Sequence, residues 1–197
     1  MSKKTIIDSN KRNSIISLRD NLSHILYPLV KSGRTIIIVC IGTDRSTGDS
    51  LGPLIGEKLK FLVRDQVHIY GNLKTPVHAK NLEEIVNKIN LKYKNPYIIA
   101  IDACLGSLQN VGKIILEAKP LHPGSAMNKS LPSIGDLSIT GIVNISGVME
   151  FMVLQNTRLF IVMQLADIIS RGIYHAIIKT VGGKKSSNHS HKIMENM

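Results

Sequence analysis

The 197-residue chain contains no tryptophan and few aromatic residues, which make up 4% of the sequence. Proteins that bind single-stranded nucleic acid stack the bases on aromatic side chains, so this scarcity argues against such a function. The formal net charge of +11 does not change that conclusion, because most of the excess positive charge lies in residues 1–34 and 179–197. We therefore expect no nucleic-acid partner.

Long apolar runs and paired cysteines are also missing. No stretch of about 18 uncharged apolar residues occurs, and residues 1–8 lack the apolar run of a signal peptide. We therefore predict a cytoplasmic protein with no membrane partner. The two cysteines, Cys40 and Cys104, lie in apolar surroundings and match no metal-binding spacing. They are predicted to be reduced thiols buried in the protein.

The hydrophobic residues, 43% of the chain, follow patterns typical of an α/β protein. Short runs rich in β-branched residues predict strands at residues 35–41, 67–70, 97–101, 113–118 and 138–144. Apolar residues at helical spacing predict helices at residues 15–29, 51–63, 81–89 and 147–170, the last with a break near Gln155 and Asn156. This alternation of strands and helices predicts a three-layer α/β sandwich with a mostly parallel central sheet.

The chain divides into three predicted parts. Residues 1–34 are a basic segment with one amphipathic helix, residues 35–181 are a single α/β domain of catalytic type, and residues 182–197 are a disordered tail. Residues 148–169 are strongly apolar and carry few charges. That pattern is typical of a buried core helix. A surface that joins copies of the chain in a homo-oligomer is the alternative.

Two aspartates are predicted to meet at one edge of the sheet. Asp49 lies in the loop after the first buried strand, and Asp102 is predicted to end the third strand. Because ligands of open α/β sheets bind beyond the carboxyl ends of the strands, both side chains are expected to face one crevice. Two carboxylates at close range titrate together, so one can hold a proton while the other accepts one. Such a pair suits general acid and base catalysis or metal binding, and the alternative is that each only caps a turn.

Other polar residues are expected to support this pair or to bind the substrate. The candidates are Thr43, Asp44, Ser46, Thr47 and Asn144. The hydroxyl groups and glycine amides of the first loop are suited to stabilising a developing oxyanion. Capping of the next helix is an equal alternative for Asn144. Weaker candidates are Ser146, Asp136 with Ser138, and His122 beside the long loop.

The segment GDSLG at residues 48–52 also fits the G-x-S-x-G pattern of serine hydrolases and resembles the GDSL lipases. In a nucleophile elbow the serine directly follows its strand, whereas Ser50 lies about nine residues beyond Ile41. The GDSL lipases also have a D-x-x-H segment near the C-terminus, which the last part of this chain lacks. A nucleophilic Ser50 is therefore not favoured.

Three segments together resemble the YyaC-type sporulation proteins. They are IGTDRSTGDSLGPLIG at 41–56, IDACLG at 101–106 and GDLSITGIVNISGVMEFMVLQNTRL at 135–159. The resemblance covers most of residues 35–172 and implies a protease that acts during sporulation, in the forespore or spore interior. It also implies a fold similar to that of the hydrogenase maturation proteases and of the germination protease, which cleaves small acid-soluble spore proteins.

The resemblance also assigns site residues. The germination protease depends on two aspartates, in P-D-A-L-G-P and I-D-A segments, which GDSLGP at 48–53 and IDA at 101–103 resemble. This places the catalytic carboxylates at Asp49 and Asp102. In the hydrogenase maturation proteases, acidic residues at these places and a later histidine bind nickel, but the corresponding residues 138–141 include no histidine. We therefore expect no tightly bound cofactor, with a weakly bound divalent metal at the two aspartates as the alternative.

These observations predict an endopeptidase in which water attacks a peptide carbonyl group. One aspartate acts as the base and the other, protonated, as the acid, and the sequence does not assign the two roles. The expected partner is a protein substrate, with small acid-soluble spore proteins as candidates. The alternatives are a non-catalytic protein that recognises a peptide tail and a metal-dependent peptidase. Residues 1–34 are either a packed helix or a removable pro-segment.

Overall fold

The computed structural model describes residues 4–123 and 133–182, which form a six-stranded sheet with helices on both faces. The strands are β1 (Lys4–Asp8), β2 (Ile36–Cys40), β3 (Val67–Tyr70), β4 (Tyr97–Gly106), β5 (Lys113–Glu117) and β6 (Leu137–Ile145). The helices are α1 (Ser14–Lys31), α2 (Leu51–Leu59), α3 (Leu82–Lys92), α4 (Glu150–Gln155) and α5 (Leu159–Val181).

The sheet is parallel at its centre and antiparallel at one edge. Its strand order is β1-β5-β6-β4-β2-β3, in which β3, β2, β4 and β6 run parallel to one another and β5 runs antiparallel to both of its neighbours, β6 and β1. The chain leaves β2 toward β3 on one side, whereas β4 leads to β5 and β6 on the other side. The neighbouring strands β2 and β4 therefore flank a topological switch point, where ligands of open α/β sheets bind.

The residues of β2 alternate between two core layers. Ile36, Ile38 and Cys40 pack in one cluster with residues of α1, α2 and α5. Ile37 and Val39 pack in a second cluster with residues of α3. Burial on both faces explains why this strand reads as an unbroken apolar run. The three-layer α/β sandwich predicted from the sequence is confirmed.

Helix α5 has the length and apolar composition of a membrane span, but its apolar residues form part of the core. Leu165, Ile169, Ile173 and Ile177 are almost fully buried, and the helix packs against α1 and α2. The chain breaks between α4 and α5, as predicted from the sequence. Burial against two neighbouring helices accounts for the scarcity of charge in this stretch.

The first 34 residues belong to the same folded unit as the rest, which differs from the predicted division of the chain. Strand β1 pairs with β5, and its Ile7 is buried. Helix α1 packs against α5 and buries Leu18 and Leu22. A five-residue edge strand with one buried side chain leaves too weak an apolar pattern to be recognised. Of the predicted tail, only Gly182 lies within the described residues.

Gly52 allows α2 to approach β2 closely. A Cβ atom added at Gly52 would lie 1.9 Å from the backbone oxygen of Ile41, which cannot move without shifting the strand. We expect Gly52→Ala to lower the free energy of unfolding by about 2 kcal/mol or more. Gly147→Ala is the control, since its Cβ would meet no atom within 4 Å, and it should change stability by less than about 0.5 kcal/mol. Denaturant unfolding measures both, and equal losses would contradict this packing.

Candidate active site

Backbone contacts beyond the end of β2 fix the turn that carries Asp49. This residue lies in a single turn of 3-10 helix, Gly48–Ser50, directly before α2. The backbone oxygen of Asp49 accepts a hydrogen bond of 3.1 Å from the Thr43 amide. A Cβ added at Gly42 would lie 2.0 Å from the same oxygen, and one added at Gly48 would meet α4. Gly42 and Gly48 thus allow the turn that carries Asp49 to pack closely against residue 42 and against α4.

Asp102 lies within β4, not at the end of a strand as the sequence predicted. Strand β4 continues to Gly106 because β6 pairs with it along that length, whereas β2 ends at Cys40, opposite Ile101. Residues 97–101 are buried, and residues 102–106 are partly accessible. The predicted strand ended where the uniformly apolar run ends. Asp102 thus lies just beyond the end of β2, where the turn of Asp49 also packs.

The two carboxyl groups share a desolvated site. Burial raises the pKa of Asp102 to about 8, a backbone hydrogen bond of 2.8 Å donated by the Ala103 amide opposes the rise, and the charge of Asp49 adds to it. Protein atoms surround this carboxyl group, although the residue keeps an accessible edge in the cleft. Asp102 therefore holds its proton at neutral pH.

Burial also raises the pKa of Asp49, but less than it raises the pKa of Asp102. Desolvation raises its pKa, and the nearby Ser46 hydroxyl opposes this rise, although the two groups do not reach the geometry of a full hydrogen bond. Of the two carboxyl groups, Asp49 is thus the one that ionises first. The site thus holds two interacting carboxyl groups, of which Asp102 keeps its proton to the higher pH.

Two cavities border this pair, and we call the two together the cleft. We name the larger one, of about 560 Å³, the α4 arm. It is lined by Ile41, Gly42, Thr43, Asp44, Arg45, Ser46, Asp49, Pro76, His78, Ala79, Lys80, Asp102, Pro123, Phe151 and Gln155. We name the smaller one, of about 330 Å³, the β5 arm. It is lined by Asp49, Asp102, Ala103, Cys104, Leu105, Glu117, Lys119, Pro120, Leu121, His122, Ser138, Thr140, Glu150 and Leu154.

The predicted supporting residues of the first loop have different positions. Thr43, Asp44 and Ser46 line the α4 arm. Thr47 lies outside the lining of both arms, and its backbone oxygen accepts a hydrogen bond of 2.7 Å from the Ser50 hydroxyl. Ser50 is buried, and this bond engages its hydroxyl group, which gives no support to a nucleophilic role.

Asn144 connects β6 to α4 and lies outside the lining of both arms. Its side-chain amide donates to the backbone oxygen of Val153 at 3.3 Å and to the Thr157 hydroxyl at 3.2 Å. These bonds tether the end of α4, the helix that forms one wall of the α4 arm. The structure therefore gives Asn144 a positioning role rather than contact with the substrate.

The weaker candidates separate into two groups. Asp136 lies at the opposite end of the sheet, where its carboxylate accepts a hydrogen bond of 2.8 Å from the Ile98 amide and lies 3.7 Å from Arg34. It is therefore remote from the aspartate pair. Ser138 and His122 both line the β5 arm. Ser146 is exposed and lines neither arm.

Sequence reasoning missed three notable residues of the cleft. His78 lines the α4 arm because the preceding residue, Val77, pairs with Ile41 in an isolated bridge beyond β2. The rule that parallel strands end at one edge could have indicated this residue. Phe151 lies on the short helix α4, within a long apolar stretch of sequence. Nothing in that stretch distinguishes Phe151 from the apolar residues that form the core. The sequence predicts Cys104 only as a buried thiol, although this residue lies two residues from Asp102 on the same face of β4.

The donor set does not fit a tightly bound metal ion. Within residues 4–123 and 133–182, no group of three or more histidine, cysteine, aspartate or glutamate side chains is placed to hold one. Protein sites for zinc and related metals use at least three such ligands. Weak binding of a divalent ion by Asp49 and Asp102 stays a prediction.

The two thiols are expected to react slowly in the folded protein. Cys40 is buried as predicted, whereas Cys104 is only partly buried and lines the β5 arm. Desolvation raises the pKa of Cys40 to about 12 and that of Cys104 to about 11, so both are protonated at pH 8. We expect an aromatic disulfide reagent to label them at least about a hundredfold more slowly than a free cysteine, whose pKa is about 8.5. Denaturant should restore normal rates. If a thiol of the folded protein reacted as fast as a free cysteine, this desolvation would be contradicted. The Cys104→Ser variant shows which of the two thiols reacts.

The fold and site define a three-layer α/β protein with a desolvated aspartate pair at the switch point of its sheet. Residues 6–172 match the family described as a protein of unknown function, DUF1256, and the chain belongs to this family. The chain is 53% identical over 142 residues to the uncharacterized protein YyaC of Bacillus subtilis strain 168, a match that covers 72% of this chain and 69% of that protein. The resemblance to YyaC-type proteins is thereby confirmed.

Two solved structures are similar in fold. One is the [NiFe] hydrogenase maturation protease HycI of Thermococcus kodakarensis KOD1, with a TM-score of 0.47, 20% identity and coverage of 78% of this chain and 98% of that chain. The other is the hydrogenase 3 maturation protease, with a TM-score of 0.43, 15% identity and coverage of 71% and 89% of the two chains.

Proposed function

We propose that this protein is an endopeptidase in which Asp49 is the general base and Asp102 is the general acid. The observation that carries the proposal is the pair of interacting carboxyl groups that line the same two cavities, with Asp102 more strongly desolvated than Asp49. Pairs of titratable groups whose environments separate their pKa values are typical of acid and base catalysts. The site thereby suggests the division of roles that the sequence left open.

In the proposed reaction, Asp49 accepts a proton from a water molecule as its oxygen bonds to the carbonyl carbon of the substrate. Asp102 donates its proton to the leaving nitrogen as the carbon–nitrogen bond breaks. After release of the two products, a proton passes from Asp49 to Asp102 directly or through solvent. No covalent intermediate forms, which agrees with the engaged hydroxyl of Ser50.

The shape of the cleft supports a polypeptide substrate. Both arms include Asp49 and Asp102 in their lining, so the reacting groups border both arms. An extended chain could place residues in one arm before the scissile bond and in the other arm after it. Cleavage within a chain needs space on both sides of the catalytic groups, whereas removal of a terminal residue needs it mainly on one side.

The substrate and cellular location are proposed from the sequence resemblance. The segments around Asp49 and Asp102 resemble those that carry the aspartates of the germination protease. We therefore propose that the protein acts in sporulation, in the forespore or spore interior, on small acid-soluble spore proteins or a protein of similar kind.

The test is cleavage of purified small acid-soluble spore proteins, followed by intact mass. We expect discrete fragments from the parent protein and none from Asp49→Asn. Asp167→Asn is the matched control, because Asp167 is an exposed residue of α5 paired with Lys58 and lies outside the cleft lining. Equal cleavage by parent and Asp49→Asn would reject the aspartate mechanism. Tight binding of these proteins without cleavage would instead favour the non-catalytic alternative.

A further inference from the structure

The two arms of the cleft differ in chemistry. Most of the accessible lining of the α4 arm is apolar, and its apolar wall includes Ile41, Pro76, Ala79, Pro123 and Phe151. The lining of the β5 arm is more evenly divided between polar and apolar surface and includes Glu117, Lys119 and Glu150. A substrate that lies across the aspartate pair therefore meets a more strongly apolar lining in the α4 arm than in the β5 arm.

Phe151 is the largest apolar side chain in the α4 arm, and it is incompletely covered. Its relative exposure is 49%, and it lines the same cavity as the aspartate pair. The helix that carries it is held to β6 by the amide of Asn144, which bonds to Val153 and Thr157. The ring is thus attached to a fixed wall while one side stays available. An apolar group placed against it would remove further apolar surface from water.

We propose that the α4 arm is a specificity pocket that receives a large apolar side chain of the substrate, next to the scissile peptide bond. This inference rests on the proposed endopeptidase function and adds the class of residue that directs cleavage. Its volume of about 560 Å³ lies within the usual range for ligand pockets, about 300 to 1,000 Å³. Phe151 is the residue proposed to contact the substrate side chain.

Binding can be measured separately from cleavage because the chain contains no tryptophan. The probe is a twelve-residue peptide of glycine and serine with one central tryptophan, blocked at both ends, and the protein is the Asp49→Asn variant. We expect a saturable blue shift of the tryptophan emission as the indole leaves water. A peptide with leucine in place of tryptophan should compete, and one with serine there should compete at least about tenfold less well.

Substitutions then locate the pocket. In the Asp49→Asn background, Phe151→Ala should weaken binding of the tryptophan peptide about tenfold or more, whereas Phe151→Leu should stay within about threefold. Phe160→Ala is the matched control, because Phe160 has a similar exposure of 63% but lies outside the lining of both arms. Equal effects of Phe151→Ala and Phe160→Ala, or no saturable shift at all, would overturn the pocket. Circular dichroism of Phe151→Ala that matches the parent excludes a general loss of folding.

The pocket and the peptidase can fail independently. Selective binding by Asp49→Asn, combined with no cleavage of any protein by the parent, would support the pocket and reject the peptidase. Cleavage by the parent with no preference for large apolar residues near the cut, read by mass spectrometry of digested denatured proteins, would reject the pocket and leave the peptidase standing.

Discussion

At pH 7 and above, we expect Asp102→Asn to be more stable than the parent protein. The pKa of Asp102 is raised from 3.8 to about 8 in the folded protein, chiefly by desolvation. Between these values the folded state holds a proton that the unfolded state has released, so raising the pH favours unfolding of the parent. Asparagine resembles the protonated carboxyl group and has no proton to lose. A rise in pH therefore does not destabilise the variant in this way.

The expected size of this effect follows from proton linkage. The advantage of Asp102→Asn over the parent should grow by about 1.4 kcal/mol per pH unit, or about 3 kcal/mol between pH 5 and pH 7. It should stop growing above about pH 8, where the folded parent also loses the proton. Denaturant unfolding at several pH values measures it, with Asp167→Asn as an exposed control. A difference that is independent of pH would mean that Asp102 is not desolvated.

The second large effect is on catalysis. We expect Asp49→Asn to lower kcat/KM for a cleaved substrate by about a thousandfold, because general base catalysis contributes about 10² to 10⁴ in rate. Asp102→Asn should cause a loss of similar order, since its amide cannot donate the proton that the leaving nitrogen needs. Circular dichroism of both variants should match that of the parent, which would show that the loss is chemical.

The pH dependence of the parent's cleavage distinguishes the two roles. The rate should rise as Asp49 ionises, above the usual range for an aspartate because burial raises its pKa. It should fall near pH 8 as Asp102 loses its proton. The residual activity of Asp102→Asn should lack this upper fall. If the rate of Asp102→Asn also fell near pH 8, another group would be the acid.

Much of the fold could be predicted because its central strands are buried on both faces. Uniform apolar runs marked β2 and the first half of β4, and their parallel arrangement brought Asp49 and Asp102 to one edge. The second half of β4 could not be found in this way. Beyond Ile101 it pairs with β6 alone and lies beside the cleft, so its side chains no longer follow the pattern of a buried strand.

Other features of the site depend on contacts between segments distant in the sequence. The pKa difference between Asp49 and Asp102 depends on how completely neighbouring segments exclude water, which no local pattern records. Phe151 lies at the cleft because Asn144 tethers α4, and an asparagine before a helix predicts capping equally well. The edge strand β1 likewise depends on its partner β5 rather than on its own residues.

The most direct test of the account is a titration of the aspartate carboxyl carbons by ¹³C NMR, with aspartate-labelled parent, Asp49→Asn and Asp102→Asn proteins. We expect one signal that titrates near pH 8 in the parent and disappears in Asp102→Asn. A second signal, lost in Asp49→Asn, should titrate at lower pH but above the usual aspartate range. If every aspartate of the parent titrated below pH 5, Asp102 could not hold a proton at neutral pH, and the proposed division into acid and base would be wrong.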